Sequence, residues 1–110
     1  MSDTPKQFFE EKIAKKLADS KPEDREKVNA IYEFNITGDN GGVWTVQMDK
    51  EKGAVSEGSQ GAAKCIVTAA STDFMNIVSG KMNPQMAFMS GKLKIKGDMG
   101  LAMKLQKVLT

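Results

Sequence analysis

The chain has 110 residues and a formal net charge of +2, with 40% hydrophobic and 27% charged residues. This length suits a single core, so we expect one domain over residues 1–110. The composition argues against disorder, and so small a net charge excludes the positive field that attracts nucleic acid. One cysteine and no apolar run of about 18 residues exclude an internal disulfide and a transmembrane helix.

The N-terminal region predicts two helices. Thr4 supplies a capping hydroxyl and Pro5 a first helical position, and the helix that follows is expected to run to about Asp19. Its buried face is an apolar stripe with helical spacing, made of Phe9, Ile13 and Leu17. Ser20 and Glu23 form a second capping box, which predicts a short helix to about residue 28.

Strands follow, because apolar and polar residues alternate from residue 30 onward. The apolar face of the first strand consists of Tyr32, Phe34 and Ile36, and that of the next strand consists of Trp44, Val46 and Met48. The glycine-rich turn over residues 38–42 makes the two strands an antiparallel pair. A short strand near residues 54–56 and a fourth over 64–68 are expected to extend the meander, with Cys65 as a small buried apolar residue.

Three short helices are predicted after residue 70. Ser71 or Thr72 is expected to cap the first, which Gly80 ends in a left-handed conformation. Asn83 precedes a proline and starts the second, and Asp98 caps the last, which we expect to run from residue 99 to residue 109. With a fifth strand between residues 91 and 97, the order of elements predicts an α+β fold.

The fifth strand has an apolar side and a lysine side. Leu93 and Ile95 alternate with three lysines, namely Lys92, Lys94 and Lys96. One interpretation is a solvated strand face. The other is contact with acyl-CoA phosphates or with an anionic membrane.

The chain offers no residues for common catalytic chemistry. It contains no histidine and only one cysteine, so zinc sites and cysteine–histidine nucleophiles are excluded. It also contains no glycine-rich motif of the kind that binds nucleotides. We therefore expect a protein without catalytic residues, metal or cofactor, and not an enzyme.

Methionines are concentrated in the C-terminal third. Six of the eight lie between residues 75 and 103, at Met75, Met82, Met86, Met89, Met99 and Met103. Methionine is unbranched and polarizable and suits surfaces that accept varied apolar partners. A loosely specified core is the other interpretation.

The last predicted helix sharpens this choice. At about 100° per residue its apolar arc spans roughly 220°, more than the ~100° that one core requires. Leu101 and Leu105 lie on one side and Met99 and Met103 on an adjoining stripe, with Gln106 between them. An unpaired buried amide costs about 1–3 kcal/mol, so either a buried backbone group or a ligand head group should satisfy Gln106.

Residues 80–109, GKMNPQMAFMSGKLKIKGDMGLAMKLQKVL, closely resemble the C-terminal half of sterol carrier protein 2 domains. Residues 28–34 and 43–46 resemble the first two strands of the same family, which includes the domain appended to peroxisomal multifunctional β-oxidation enzymes. The resemblance implies a five-stranded, mainly antiparallel sheet with about five helices over one face. It also implies an apolar tunnel between the two layers.

The resemblance implies binding and transfer of fatty acids, fatty acyl-CoA, sterols or phospholipids without their conversion. Matching positions should line or gate the tunnel: Phe34, Trp44, Val46, Ile66, Met82, Gln85, Met86, Phe88, Met89, Met99, Met103, Leu105 and Gln106. We expect a monomer that contacts membranes transiently. A cytoplasmic location is expected, since the chain ends without a Ser-Lys-Leu type signal, although the family includes peroxisomal members. The alternative is a protein-interaction module that docks an apolar helix or tail.

Overall fold

The computed structural model of the chain describes residues 4–59, 61 and 63–104. They form an α+β fold built on a five-stranded sheet, as predicted. The strands are β1 (Ala30–Thr37), β2 (Gly42–Met48), β3 (Gly53–Glu57), β4 (Cys65–Ala70) and β5 (Leu93–Gly97). They lie in the order β3-β2-β1-β4-β5, so β3 and β5 are the two edges.

The sheet is mainly antiparallel, but one pairing is parallel. β1 pairs antiparallel with β2, β2 with β3 and β4 with β5, whereas β1 and β4 run parallel. The predicted meander is therefore wrong at one step, because β4 lies beside β1 and not beside β3. The start of the connection from β3 to β4, at Gly58 and Ser59, crosses the face of the sheet that carries Glu33 and Thr45, and the Thr45 hydroxyl donates to the carbonyl of Gly58 at 2.7 Å. The Ser59 hydroxyl donates to Glu33 Oε1 at 2.5 Å in the same crossing.

Five helices are present among the described residues. Helix α1 has three consecutive segments, of which Pro5–Gln7 and Ala14–Asp19 are α-helical and Phe8–Ile13 is π-helical. Helices α2 (Pro22–Val28), α3 (Ser71–Val78), α4 (Pro84–Met89) and α5 (Met99–Ala102) follow in chain order. The predicted final helix is confirmed at its start, and its residues beyond 104 lie outside the described part of the chain.

Three predicted capping residues are confirmed. The Thr4 hydroxyl accepts from the Gln7 amide at 3.3 Å. Asn83 Oδ1 accepts from the amide of Gln85, and Asp98 Oδ1 from that of Gly100, each at 2.8 Å. These side chains satisfy amides that the first turn of a helix leaves unpaired, so they set where α1, α4 and α5 begin.

Two predicted caps are wrong. Lys21, not Ser20, precedes α2, and the Ser20 hydroxyl donates to the carbonyl of Leu17 at the end of α1. Ala70 precedes α3 in an extended conformation without a side-chain cap, so neither Ser71 nor Thr72 has that role. Gly80 follows α3 with φ of 86°, the left-handed conformation that was predicted.

The core lies between the sheet and α1, and the π-helical segment decides which residues enter it. Phe9, Ile13 and Leu17 are buried as predicted, and Phe8 is buried with them. Hydrogen bonds from residue i to i+5 widen the turn, so Phe8 and Ile13 can share one side of the helix. The regular spacing used for the prediction leaves Phe8 out.

Candidate functional site

Three of the predicted sheet residues face the helices and are buried. Phe34, Trp44 and Val46 are at most 2% exposed. Phe9 lies over them, with its ring centroid 5.0 Å from those of both Phe34 and Trp44. Its ring also stacks on Phe74 of α3 at 5.2 Å. The sequence thus identified the apolar centre of the sheet and the buried face of α1, but not the contact of Phe9 with Trp44.

A hydrogen bond reinforces this packing. Trp44 Nε1 donates to the carboxylate of Glu10 at 3.2 Å, so consecutive residues of α1 stack on the indole ring and pair with its N–H group. Helix α1 therefore supplies both the apolar packing and the hydrogen-bond acceptor that the buried indole ring needs. Any ligand that reaches Trp44 has to displace part of this contact.

Ile66 does not share a face with the other predicted sheet residues. It lies beside Glu33 in β1 and Lys96 in β5, on the opposite side of the sheet from Phe34 and Trp44. The strand continues the alternation that buries Cys65 and Val67, and Ile66 falls on its other side. The expectation that Ile66 lies on the helix side is wrong, and Ile66 is not part of the candidate site.

The predicted residues of the C-terminal third form an exposed apolar surface. Met86 is 69% exposed, Phe88 40%, Met89 81%, Met99 49% and Met103 85%. We call these five residues the methionine surface. They belong to α4, α5 and the turn after α5, and both helices pack against β5. Most large apolar side chains of a folded protein are covered, so this concentration favours a binding surface over a loose core.

Two of the four remaining predicted residues are described, and they differ in exposure. Met82 is half-buried and packs against the core, whereas Gln85 is exposed. Leu105 and Gln106 lie outside the described residues. Leu101 is buried, and its carbonyl accepts a hydrogen bond of 2.6 Å from the hydroxyl of Tyr32. That bond attaches α5 to the centre of the sheet.

A cleft of about 440 Å³ lies between α1, α2 and the turn after α5, and sequence reasoning missed it. Its floor is apolar, and four cationic side chains lie around it. We call it the basic cleft; the floor is Leu17, Val28 and Met48, and the rim includes Lys16, Ser20, Asp24, Arg25, Lys27 and Lys104. These residues come from α1, α2, the end of β2 and the turn after α5. No motif could reveal the cleft, because only the fold assembles it.

The four cations of the basic cleft are not equivalent. Arg25 donates to the carbonyls of Ser20, Asp49 and Lys50 at 2.9–3.2 Å, so its guanidinium joins the loops around the cleft. Lys27 lies 3.8 Å from Asp24, and Lys104 Nζ donates to the carbonyl of Lys27 at 3.0 Å. Burial is the main cause that lowers the pKa of Lys16, and repulsion from Lys12 lowers it further. An anion in the cleft would offset that cost of holding a cation there.

The apolar floor of the basic cleft continues into the core. Leu17 and Ile13 lie on one stripe of α1, and Met48 and Val46 lie on the helix-side face of β2. Both stripes lead toward the stacked pair of Phe9 and Trp44. Buried apolar side chains therefore form a continuous stripe from the cleft to the stacked rings, between α1 and β2.

Two further features limit the chemistry of the site. Burial raises the pKa of the Cys65 thiol to about 11, with a smaller contribution from Asp98. No group of three or more potential ligands for a metal ion exists among the described residues, and none of their helices is long and apolar enough to cross a bilayer.

The architecture is that of known lipid-carrier domains. The apo form of sterol carrier protein 2 from Yarrowia lipolytica superposes with a TM-score of 0.77 at 34% identity, over 88% of this chain and 83% of that chain. The solution structure of palmitated SCP2L2 from Aedes aegypti has a TM-score of 0.72 at 29% identity, over 99% and 95% of the two chains. Both have the fold described here.

The sequence assigns the family. The family model for the SCP-2 sterol transfer family matches residues 10–110, and the chain belongs to that family. Human sterol carrier protein 2 is 43% identical over 99 residues, which cover 87% of this chain and 18% of the human protein. The chain spans about a fifth of the length of the curated relatives that it matches. The predicted family resemblance is confirmed.

Proposed function

We propose that the chain binds and transfers lipids with a long apolar chain, including fatty acids, fatty acyl-CoA, sterols and phospholipids, without converting them. Membership of the sterol transfer family supports lipid binding in general. The observation that carries the finer proposal is the basic cleft, whose apolar floor leads between α1 and β2 toward the core. We assign the head group to the rim and the apolar chain to this route.

The energetics favour this arrangement. A chain of about 16 carbons contributes a gross ~12 kcal/mol at ~0.8 kcal/mol per methylene, before ordering and association costs. Micromolar or tighter binding is within that range. Most of this free energy comes from the apolar chain, so broad tolerance of chain type and weak discrimination between head groups are expected. The palmitated Aedes aegypti relative supports a fatty acid as the first ligand to test.

Phe9 and Trp44 determine how such a ligand would enter. Their stacked rings occupy the inner end of the proposed route, so the lipid chain has to move the π-helical part of α1 away from β2. Trp44 is the single tryptophan and loses its Glu10 partner in that movement. Its fluorescence should therefore report lipid entry.

The test is a titration with a fluorescent long-chain fatty acid, followed by displacement with palmitate. Saturable binding and a change in Trp44 emission are expected. The head-group assignment is tested with Lys16→Glu, and Lys15→Glu on the exposed side of α1 is the control with the same charge change. Lys16→Glu should weaken fatty-acid binding about 3–10-fold, which corresponds to about 1 kcal/mol, and Lys15→Glu should not.

Different results would contradict different parts of the proposal. No saturable binding at micromolar protein would contradict lipid binding itself. Equal effects of Lys16→Glu and Lys15→Glu would leave lipid binding but remove the head group from the basic cleft. A native mass of the unstripped protein gives the mass of any bound lipid, tests the expected monomer and shows whether the ligand is recovered unchanged.

A further inference from the structure

The methionine surface lies in the most cationic part of the chain. Residues 80–104 contain five lysines and one aspartate, a net charge of +4, although the whole chain has a net charge of only +2. Lys81, Lys92, Lys94 and Lys96 are exposed. None of these four forms an ion pair with another residue in the described part of the chain. Their charge is available to an external partner.

Strand β5 separates the apolar side chains from the lysines. Lys94 and Lys96 pair in register with Thr68 and Ile66, on the face of the sheet away from the helices. Helices α4 and α5 pack on the other side, through the buried residues Ala87 and Leu101. Because β5 is an edge strand, a flat surface that meets this edge can contact the methionines on one side and the lysines on the other.

The combination of exposed methionines and exposed lysines decides between possible partners. A second copy of the chain would bring two sets of these lysines together, which like-charge repulsion opposes. An anionic bilayer provides both an apolar layer and a negative surface. Each lysine near such a surface contributes about the same favourable free energy of binding. Flexible methionine side chains adapt to disordered acyl chains.

We propose that the β5 edge, with the methionine surface and Lys92, Lys94 and Lys96, docks the protein onto anionic membranes. The apolar side chains of α4 and α5 enter the interface between head groups and acyl chains, and the lysines contact lipid phosphates or carboxylates. The turn after α5 carries Met103 of this surface and Lys104 of the basic cleft. A docked protein would therefore hold the cleft next to the membrane.

The experiment is co-sedimentation of the full chain with vesicles of phosphatidylcholine, with and without phosphatidylserine. The variant Lys92→Gln/Lys94→Gln/Lys96→Gln should reduce partitioning onto the anionic vesicles by on the order of 100-fold. The control is Lys6→Gln/Lys15→Gln/Lys21→Gln, which removes the same charge from exposed positions in and around α1 and α2. It should retain at least a tenfold advantage over the β5 variant.

A second pair of variants tests the apolar part. Met86→Ser/Met89→Ser should weaken partitioning about tenfold, and Met86→Leu/Met89→Leu should restore it, because leucine keeps the apolar area. Both positions are exposed, so the thermal midpoint of each variant should match that of the original chain.

Three results would overturn the proposal. They are no sedimentation of the original chain with phosphatidylserine vesicles, equal losses in the two lysine variants, or full binding by Met86→Ser/Met89→Ser. A dimer that dissociates in Met86→Ser/Met89→Ser would assign the surface to a second copy instead. Fatty-acid titration without vesicles is measured on the same variants, so loss of docking is distinguished from loss of lipid binding.

Discussion

The aromatic core around Phe9 and the methionine surface are both apolar, yet they differ in almost every other respect. Phe9 is fully buried and contacts the rings of Phe34, Trp44 and Phe74. Met89, in α4, and Met103, in the turn after α5, are more than 80% exposed near the edge of the sheet. Rigid rings that pack edge to face or in stacks specify one arrangement, whereas flexible methionines specify none.

The difference separates the side chains that stabilise the fold from those that remain exposed. The core supplies the burial that holds α1 and α3 on the sheet. The methionine surface contributes little to that burial and is free to meet other apolar groups.

Phe9→Ala should lower the free energy of unfolding by about 3–5 kcal/mol, because it removes a ring from a closely packed cluster and leaves a cavity. Met89→Ala at an 81% exposed position should change it by less than about 0.5 kcal/mol. Urea denaturation measures both values. Similar losses in the two variants would show that the two regions do not differ as described.

Cys65 tests the core through pH. Burial raises the pKa of its thiol to about 11 from the usual 9.0, so the unfolded chain loses this proton first. The stability that the buried neutral thiol contributes is fully present below pH 9. It is lost as pH rises to 11, by at most roughly 2 kcal/mol. The original chain should therefore lose more stability over this range than Cys65→Ala. Parallel curves would mean that the thiol reaches solvent in the folded state.

Tyr32→Phe tests the link between the two regions. The hydroxyl donates to the carbonyl of Leu101 in α5, the helix that also carries Met99. Its removal leaves that carbonyl without this partner and should cost about 1–2 kcal/mol in urea denaturation. Hydrogen exchange should also accelerate in α5 more than in α3. Unchanged exchange in α5 would mean that other contacts hold this helix.

Asp98→Ala should lower the free energy of unfolding by about 1 kcal/mol, because it removes the cap of one short helix. Asp98→Asn keeps an acceptor oxygen and serves as the matched control. Thermal unfolding of both variants measures the difference. A loss in Asp98→Asn as large as in Asp98→Ala would indicate that charge, not capping, is the main contribution of Asp98.

Much of the fold was predictable because local patterns encode it. Alternation in residues 30–37 and 42–48 identified the paired strands β1 and β2, and their buried face includes Phe34 and Trp44. The capping side chains of Thr4, Asn83 and Asp98 marked three helix starts correctly. Ser20 failed as a cap, because its hydroxyl bonds instead to the end of the preceding helix.

The candidate site was predictable only in part. The methionine surface could be found because its residues are close together in the sequence and share one chemistry. The basic cleft could not, because Leu17 and Met48 are brought together only when α1 packs on β2. Ile66 was misplaced for a related reason, since a one-residue step along a strand reverses the face.

By itself, the sequence determined the order of helices and strands, the family and the concentration of methionines in the C-terminal third, because each depends on residues that are neighbours along the chain. Only the tertiary structure decided that β4 runs parallel to β1, that Phe9 covers Trp44 and that Lys16 and Lys104 border one cleft. These features join distant segments, and packing free energy, which acts on the assembled surfaces, selects among the pairings that local preference permits.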